Sequence, residues 1–526
     1  MFSPPFHLSG IVEDSDKLIL MTPQGFQTKY NIEARVLQEV VRINREQKTI
    51  TIKDLKTNRD YEESYDTLIL SPPGASPIVP DLEGIHSKHV FTIRNVADID
   101  RLNRHLQTDN VQDIAVVGGG FIGVEVAENL NLAGYNVSLV EFGQQIMAPP
   151  FDYDMAQILH KEMFDKGVQV IVNDGLAKVT LDNVTLNSGK QLKAQAVVLA
   201  IGVRPPEIRL AKEAGLTIGE LGGIQVDANY VTSDPSIYAV GDAIEVFHQL
   251  THKQTSLALA GPAQRQARAV ANHMYNIPHH NKGVIGSSSV QIFDLACATT
   301  GLNEKTALAN GFQAKSVYLI APDKVGLMPN SNPLHFKLVY ETPTGKILGG
   351  AQAIGKGNAD KRIDVIATLI TMGGTLEDLK ELELSYSPMF STARDIVNLA
   401  ALVAQNLLHG HFKQVKVDEV RKLIENQAYF LDVREKNEFE SGHLINAHNI
   451  PLSELRERMN EIPKDQAVYV HCRSGQRSYN AVMALQNSGF SNIFNVSGSF
   501  LGISLYEYFT DITTNRDKIV TAYNFK

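Results

Sequence analysis

Apolar and polar side chains alternate along 36–43, 49–54 and 61–70, the period of two that marks strands burying one face, so these segments predict hairpin strands. From 111 to 205 the pattern changes. Val111–Val117 is a near-continuous apolar run, as in a strand covered on both faces, and 121–133 has helical periodicity that stops at Gly134. Asn136–Glu141 reads as a second strand, 155–166 as a helix, and 168–172 and 196–200 as later strands with short ones between. This alternation predicts a Rossmann-like parallel sheet with a meander inserted. Residues 286–410 mix both periods as an α+β pattern, and a new βα alternation runs from about 415 to the end. The shifts mark out an α/β chain with separate stretches at 35–70, 111–205, 286–410 and about 415 to the end.

A length of 526 residues fits several domains rather than one core. Hydrophobic content of 43% and charged content of 20% are ordinary for a globular protein, and the net charge of −9 gives no reason to expect nucleic acid as a partner. No apolar run reaches bilayer length, and MFSPPFHLSG has neither a basic nor an apolar leader region, so the expectation is a cytoplasmic protein without membrane attachment. Two cysteines far apart do not make a disulfide framework, and no metal-ligand set is assigned.

The Gly-rich turn carries the first chemistry. Gly118, Gly120 and Gly123 stand in G-x-G-x-x-G spacing after a strand and at the start of a helix. The first makes the tight turn, the second lets backbone approach a pyrophosphate, and the third lets helix and strand pack closely. Glu141 closes the next strand, where a carboxylate accepts from a ribose 2′-OH and repels a 2′-phosphate. The pattern favours NADH over NADPH. A Gly-rich turn without a ligand is the alternative.

The second chemistry is at Cys472, in HCRSGQRSYNA between an apolar strand and a helix. Successive backbone N–H groups of Arg473, Ser474, Gly475 and Gln476 are placed to cradle an anion ahead of the helix, and with Arg473 and Arg477 they are expected to lower the thiol pKa and hold a thiolate. Cys472 therefore reads as a nucleophile. Cys297 lies in an apolar strand-like run and reads as an inert core thiol.

GGGFIGVE, Ala200–Pro205 and Ser236–Asp242 together resemble the flavin-dependent pyridine nucleotide–disulfide oxidoreductases. That resemblance implies FAD held near Gly241 and Asp242, with Gly202 in a cofactor-side turn and LALAGPAQRQAR following along the flavin. GKGNADKRID and LSYSPMFSTARDIVN are similar to the branch that reduces coenzyme A disulfide or persulfides, whose members are homodimers completing each other's sites. In that branch Tyr386 and Arg394 fall on substrate-contacting positions, Tyr386 with an ordinary interface tyrosine as its alternative. LDVREKNEFESGHLINAHNIPL followed by the Cys472 loop resembles the rhodanese module. There Asp432 and Arg434 are expected to pin the core, and the short C-x-x-x-x-R loop suits a sulfane sulfur better than a phosphate.

The resemblance implies a two-dinucleotide-domain flavoprotein with an incomplete FAD part at 1–108 and 226–285, an NAD-binding domain at 109–225, an α+β dimerisation domain at 286–410 and a rhodanese domain at 411–526. The branch's own N-terminal G-x-G-x-x-G and redox cysteine have no counterpart here; matching Pro5-Phe6-His7 to the segment after that cysteine puts Phe2 in its place. Ser71-Pro-Pro-Gly74 has one proline more than the usual turn, and Gly326–Pro329 replaces a tyrosine-bearing stretch. The expectation is an N-terminally shortened, NAD(P)H- and flavin-dependent persulfide, polysulfide or coenzyme A-disulfide reductase coupled to a rhodanese sulfur carrier. Its alternatives are a sulfurtransferase on a degenerate, non-reducing scaffold and, ranked last, an NADH oxidase.

Overall fold

The computed structural model of the protein describes residues 4–72, 76–108, 111–204 and 208–525. Phe2, Pro73, Gly74 and Pro205, all named above, lie outside them. The chain forms two compact units, one containing the chain up to Phe142 with Ile171–Val284, the other Gly143–Val170 with Ile285–Lys526.

In the first unit β1 (Gln38–Asn44), β2 (Thr49–Asp54) and β3 (Arg59–Ser64) form an antiparallel meander. The run 61–70, read as one strand, is divided. Tyr65 still donates to the Lys48 carbonyl, but Leu68 donates to Ser236, so the backbone changes partner within three residues. β4 (Leu68–Leu70) consequently belongs to a different sheet. Four parallel strands follow: β5 (Val90–Thr92), β6 (Asp113–Val117), then, after helix α1 (Phe121–Leu132), β7 (Asn136–Val140), and β8 (Ala196–Leu199). Their order is β5-β8-β6-β7. Ile114, Ala115 and Val116 of β6 are wholly buried, which is why that strand reads as an unbroken apolar run. β9 (Ile237–Ala239) pairs in parallel with β4, and α2 (Ala260–Met274) packs beside the turn after β9.

In the second unit an antiparallel sheet is built from β10 (Ser288–Ile292), β11 (Leu295–Gly301), β12 (Ala314–Pro322), β13 (Pro333–Glu341) and β14 (Ile347–Gly355), in the order β10-β11-β14-β13-β12. Helices α3 (Ala359–Met372) and α4 (Ile396–Leu408) follow. One row of register partners crosses this sheet: Thr299, Gln352, Lys337 and Tyr318. Lys337 is only 3% exposed. Its ammonium is 3.1 Å from Asp152, 2.9 Å from Asp154 and 3.5 Å from Glu304, the pairing that a buried charge requires. Gln352 and Asp152 exchange two hydrogen bonds, side-chain amide to carboxylate at 2.7 Å and backbone N–H to side-chain oxygen at 2.8 Å. These contacts hold the stretch before helix Tyr153–Asp165 in the second unit, although its βα alternation continues that of 109–225.

The C-terminal part is a parallel sheet of β15 (Lys413–Val415), β16 (Tyr429–Asp432), β17 (His448–Asn449), β18 (Val468–His471) and, after helix α5 (Gln476–Asn487), β19 (Ile493–Val496), in the order β15-β19-β18-β16-β17. Helix α6 (Ser499–Thr514) follows. Asp432 and Arg434 are both buried and joined at 2.6 Å, and the guanidinium also donates to the Gly442 carbonyl and lies 4.1 Å over the Phe500 ring. That pair ties β16 to the start of α6. Among the described residues no helix is long and apolar enough to cross a membrane.

Candidate active site

The Gly-rich turn joins β6 to α1. Gly118 has φ 107°, and a Cβ there would stand 2.2 Å from the Ala200 carbonyl oxygen; one on Gly123 would stand 1.8 Å from that of Gly118. Neither position admits a side chain. Gly120 differs: a Cβ there meets nothing within 4 Å, and this residue caps α1 without a side-chain hydrogen bond. Open space in front of uncapped helix N–H groups fits a pyrophosphate. Glu141, just past β7, accepts from the Gly119 N–H at 2.6 Å, which places its carboxylate at the same turn. Glu125, two residues beyond Gly123 and not singled out by the sequence reading, has its carboxyl pushed up to about 7 by burial.

At the end of β9, Gly241 has φ 79° and donates its N–H to the buried side-chain oxygen of Gln266 on α2 at 2.7 Å. A Cβ on Gly241 would meet only Ser71 Oγ, at 3.9 Å, and Asp242 follows half-buried. Space over a strand end beside a carboxylate fits the polyol part of a flavin nucleotide. Gly202 has φ 113° and accepts from the Ile78 N–H at 3.0 Å.

Cys472 directly follows β18 and is 1% exposed. The Gly475 N–H donates to its Sγ at 3.1 Å. Its own N–H donates to Ser499 Oγ at 3.2 Å, and that hydroxyl is 3.9 Å from Sγ. Ser478 donates to the Gly475 carbonyl at 3.0 Å and stands 3.4 Å from Ser499 Oγ. Gly475, with φ 112°, turns the loop into α5. Ser499, with φ 49°, adopts the left-handed region without being glycine, a strain of roughly 1–3 kcal/mol held where its hydroxyl meets the thiol. The loop reading did not contain Ser499, which is 27 residues beyond Cys472 and comes to it only through the sheet.

Arg477 forms a two-pronged ion pair with Glu438, at 2.6 and 2.8 Å, which holds its charge beside the loop. Arg473 is half-buried, and burial lowers its pKa below the usual arginine range. Ser474 is half-buried, and Gln476 is exposed at the rim. His471 is wholly buried, with Nε2 3.8 Å from Asp432, and burial pushes its pKa down. The resulting site is a buried sulfur that accepts from the Gly475 N–H, with Arg473 and Arg477 in the same loop.

Tyr386 and Arg394 stand on the surface in the stretch leading into α4, beside exposed Met389 and Phe390. They are not part of the hydrogen-bond network around Cys472. Cys297 is buried in β11, its Sγ 3.7 Å from the Leu295 carbonyl, as read from its apolar surroundings.

Fold and sites together define a dinucleotide-binding oxidoreductase joined to a C-terminal α/β domain with a buried thiol at a strand end. Residues 9–267 match the family model of pyridine nucleotide-disulphide oxidoreductases, 287–396 the dimerisation domain of that family, and 416–505 the rhodanese-like domain. A coenzyme A disulfide reductase of Staphylococcus epidermidis is 32% identical over 402 residues, covering 76% of this chain and 90% of the relative. The crystal structure of reduced Bacillus anthracis CoADR-RHD is 42% identical with a TM-score of 0.91, covering 96% of this chain and 90% of that one. The NAD-dependent persulfide reductase of A. fulgidus is 31% identical with a TM-score of 0.89, covering 94% and 91%. The chain belongs to the pyridine nucleotide-disulphide oxidoreductase family and carries a C-terminal rhodanese-like domain.

Proposed function

We propose that this protein is an NADH- and FAD-dependent reductase of persulfides or coenzyme A disulfide, coupled to a rhodanese domain that carries sulfane sulfur on Cys472. The observation that carries the reading is the Gly475 N–H aimed at Cys472 Sγ at 3.1 Å, in a chain that also holds a complete dinucleotide turn with Glu141. The names of the relatives support reduction over the alternative of a non-reducing scaffold.

In this reading Gly118, Gly120 and Gly123 hold the NADH pyrophosphate, and Glu141 accepts from its ribose hydroxyl and disfavours NADPH. Gly241 and Asp242 would hold FAD, which when bound passes electron pairs between nicotinamide and sulfur. Cys472 thiolate attacks the sulfane sulfur of a donor persulfide; the donor's S–S bond breaks, the donor leaves as a thiol, and Cys472 becomes a persulfide. Gly475 and neighbouring N–H groups stabilise the anion, with Arg473, Arg477, Ser474 and Gln476 lining its approach. Transfer to a thiol acceptor gives RSSH, and the reductase completes RSSH + NADH + H⁺ → RSH + H₂S + NAD⁺. Tyr386 and Arg394, on a surface with exposed apolar neighbours, suit a substrate-binding edge completed in a homodimer.

The test is persulfide-dependent NADH oxidation with added FAD, alongside sulfur transfer from thiosulfate, by the purified chain and by Cys472→Ser. Transfer that depends on Cys472, with NADH consumed only when persulfide or coenzyme A disulfide is present, supports the proposal. NADH consumption that needs neither substrate refutes it.

A further inference from the structure

The polar row across the antiparallel sheet ends at Tyr318, and this residue meets the sulfur domain. Ser497 Oγ donates to the Tyr318 carbonyl at 3.3 Å. A Cβ on Gly498 would lie 2.6 Å from the Tyr318 ring, and one on Gly502 3.1 Å from it. The ring therefore packs against bare backbone at the start of α6. The next residue after Gly498 is Ser499, whose hydroxyl takes the Cys472 N–H. Two successive left-handed residues, Gly498 at φ 69° and Ser499 at φ 49°, make a turn that persists only if its surroundings hold it.

The ring is itself held. The Tyr318 hydroxyl and His335 Nδ1 share a hydrogen bond of 2.7 Å, and burial lowers His335 to about 4, which keeps the imidazole neutral. His335 shares a strand face with Lys337, whose ammonium is locked among Asp152, Asp154 and Glu304. Lys416 at the start of the sulfur domain also pairs with Glu304. Packing and charge thus run from the sheet into the turn beside the nucleophile.

We infer that Tyr318 is a positioning residue of the sulfur-transfer site: its ring, held by His335, fixes the Gly498–Ser499 turn and with it the hydroxyl that keeps Cys472 in place. The inference rests on Cys472 being the sulfur acceptor proposed above. It makes the sulfur chemistry depend on a residue of the dimerisation sheet.

The experiment is steady-state transfer from thiosulfate to cyanide by the full chain, with thermal unfolding followed in parallel. Tyr318→Leu is expected to lower kcat about tenfold while KM for thiosulfate stays within about twofold, the signature of a misplaced nucleophile rather than weakened binding. Tyr318→Phe, which keeps the ring against Gly498, is expected to restore kcat to within about threefold of wild type. A kcat unchanged in folded Tyr318→Leu, or a rise in KM alone, overturns the inference. Should Tyr318→Leu not fold, Tyr318→Met carries the test: it fills much of the volume but removes the ring from Gly498, so a fall in kcat at constant KM supports the inference and an unchanged kcat overturns it. A wild-type chain that transfers no sulfur instead refutes the proposed role of Cys472, a separate result.

Discussion

Glu438 grips Arg477 through both guanidinium nitrogens, at 2.6 and 2.8 Å, so this arginine of the sulfur loop is neutralised by a carboxylate six residues after Asp432. The pair is about a third exposed, and solvent screening limits its stabilising value to about 1 kcal/mol or less. Its larger consequence is for anion binding. Glu438→Gln is expected to lower KM for thiosulfate about threefold by freeing the guanidinium, and Arg477→Ala to raise it. Steady-state transfer assays check this; an unchanged KM in both variants would show that Arg477 does not face the donor.

Glu141 makes the nucleotide preference testable. The carboxylate sits on the Gly119 N–H, where a 2′-phosphate would meet a like charge. NADH should bind more tightly than NADPH, and Glu141→Arg should narrow or reverse the difference. Fluorescence titration of both nucleotides decides it, and equal wild-type affinities contradict the assignment.

Cys472→Ser should lose sulfur transfer by on the order of a thousandfold or more, because a hydroxyl is a poor nucleophile and forms no persulfide. NADH oxidation with an externally supplied persulfide should be no lower in Cys472→Ser than in the wild type, since the residues proposed to hold NADH and FAD belong to the other unit. Loss of both activities in a folded Cys472→Ser chain would mean that the two reactions share the thiol.

Burial holds His160 down to about 3 and His335 to about 4, both well below 6.5. Neutral in the folded chain, they become charged first in the unfolded one. Their penalty is absent above pH 6.5, grows as pH falls below it, and stops growing once the folded value is reached. Between pH 6.5 and 5 each should cost about 2 kcal/mol of stability. His160 accepts from the Ile146 N–H at 3.0 Å and packs 4.5 Å from Phe509. His160→Gln keeps an acceptor without the titration, so its thermal midpoint should fall less between pH 7 and 5 than the wild type's. Parallel curves would indicate that His160 stays exposed to protons in the folded state.

Much of both sites was legible in the chain itself. Gly118, Gly120 and Gly123 could be read because tight turns and close backbone approaches demand glycine at short, regular intervals. The Cys472 loop could be read because the thiol and the Gly475 N–H that reaches it are three residues apart between a strand and a helix. Asp432 and Arg434, two residues apart, found each other as expected. All of these are local constraints, where spacing along the chain is spacing in space.

Other features depended on which strands lie side by side. Lys337 occurs in PLHFKLVYE, and the carboxylates that pair with it, Asp152, Asp154 and Glu304, all arrive from other segments. Ser499 reaches Cys472, Glu438 reaches Arg477, and Tyr318 reaches Gly498 only across sheet neighbours. The division of 61–70 has the same origin, since Leu68 exchanges a hairpin partner for Ser236. Sequence alone determined the turns, the loop and the class of chemistry, because those follow from local backbone geometry and side-chain type. Tertiary structure decided which polar groups could be buried and which residues hold the nucleophile, because a buried charge or a strained turn persists only when partners distant in the chain are packed against it.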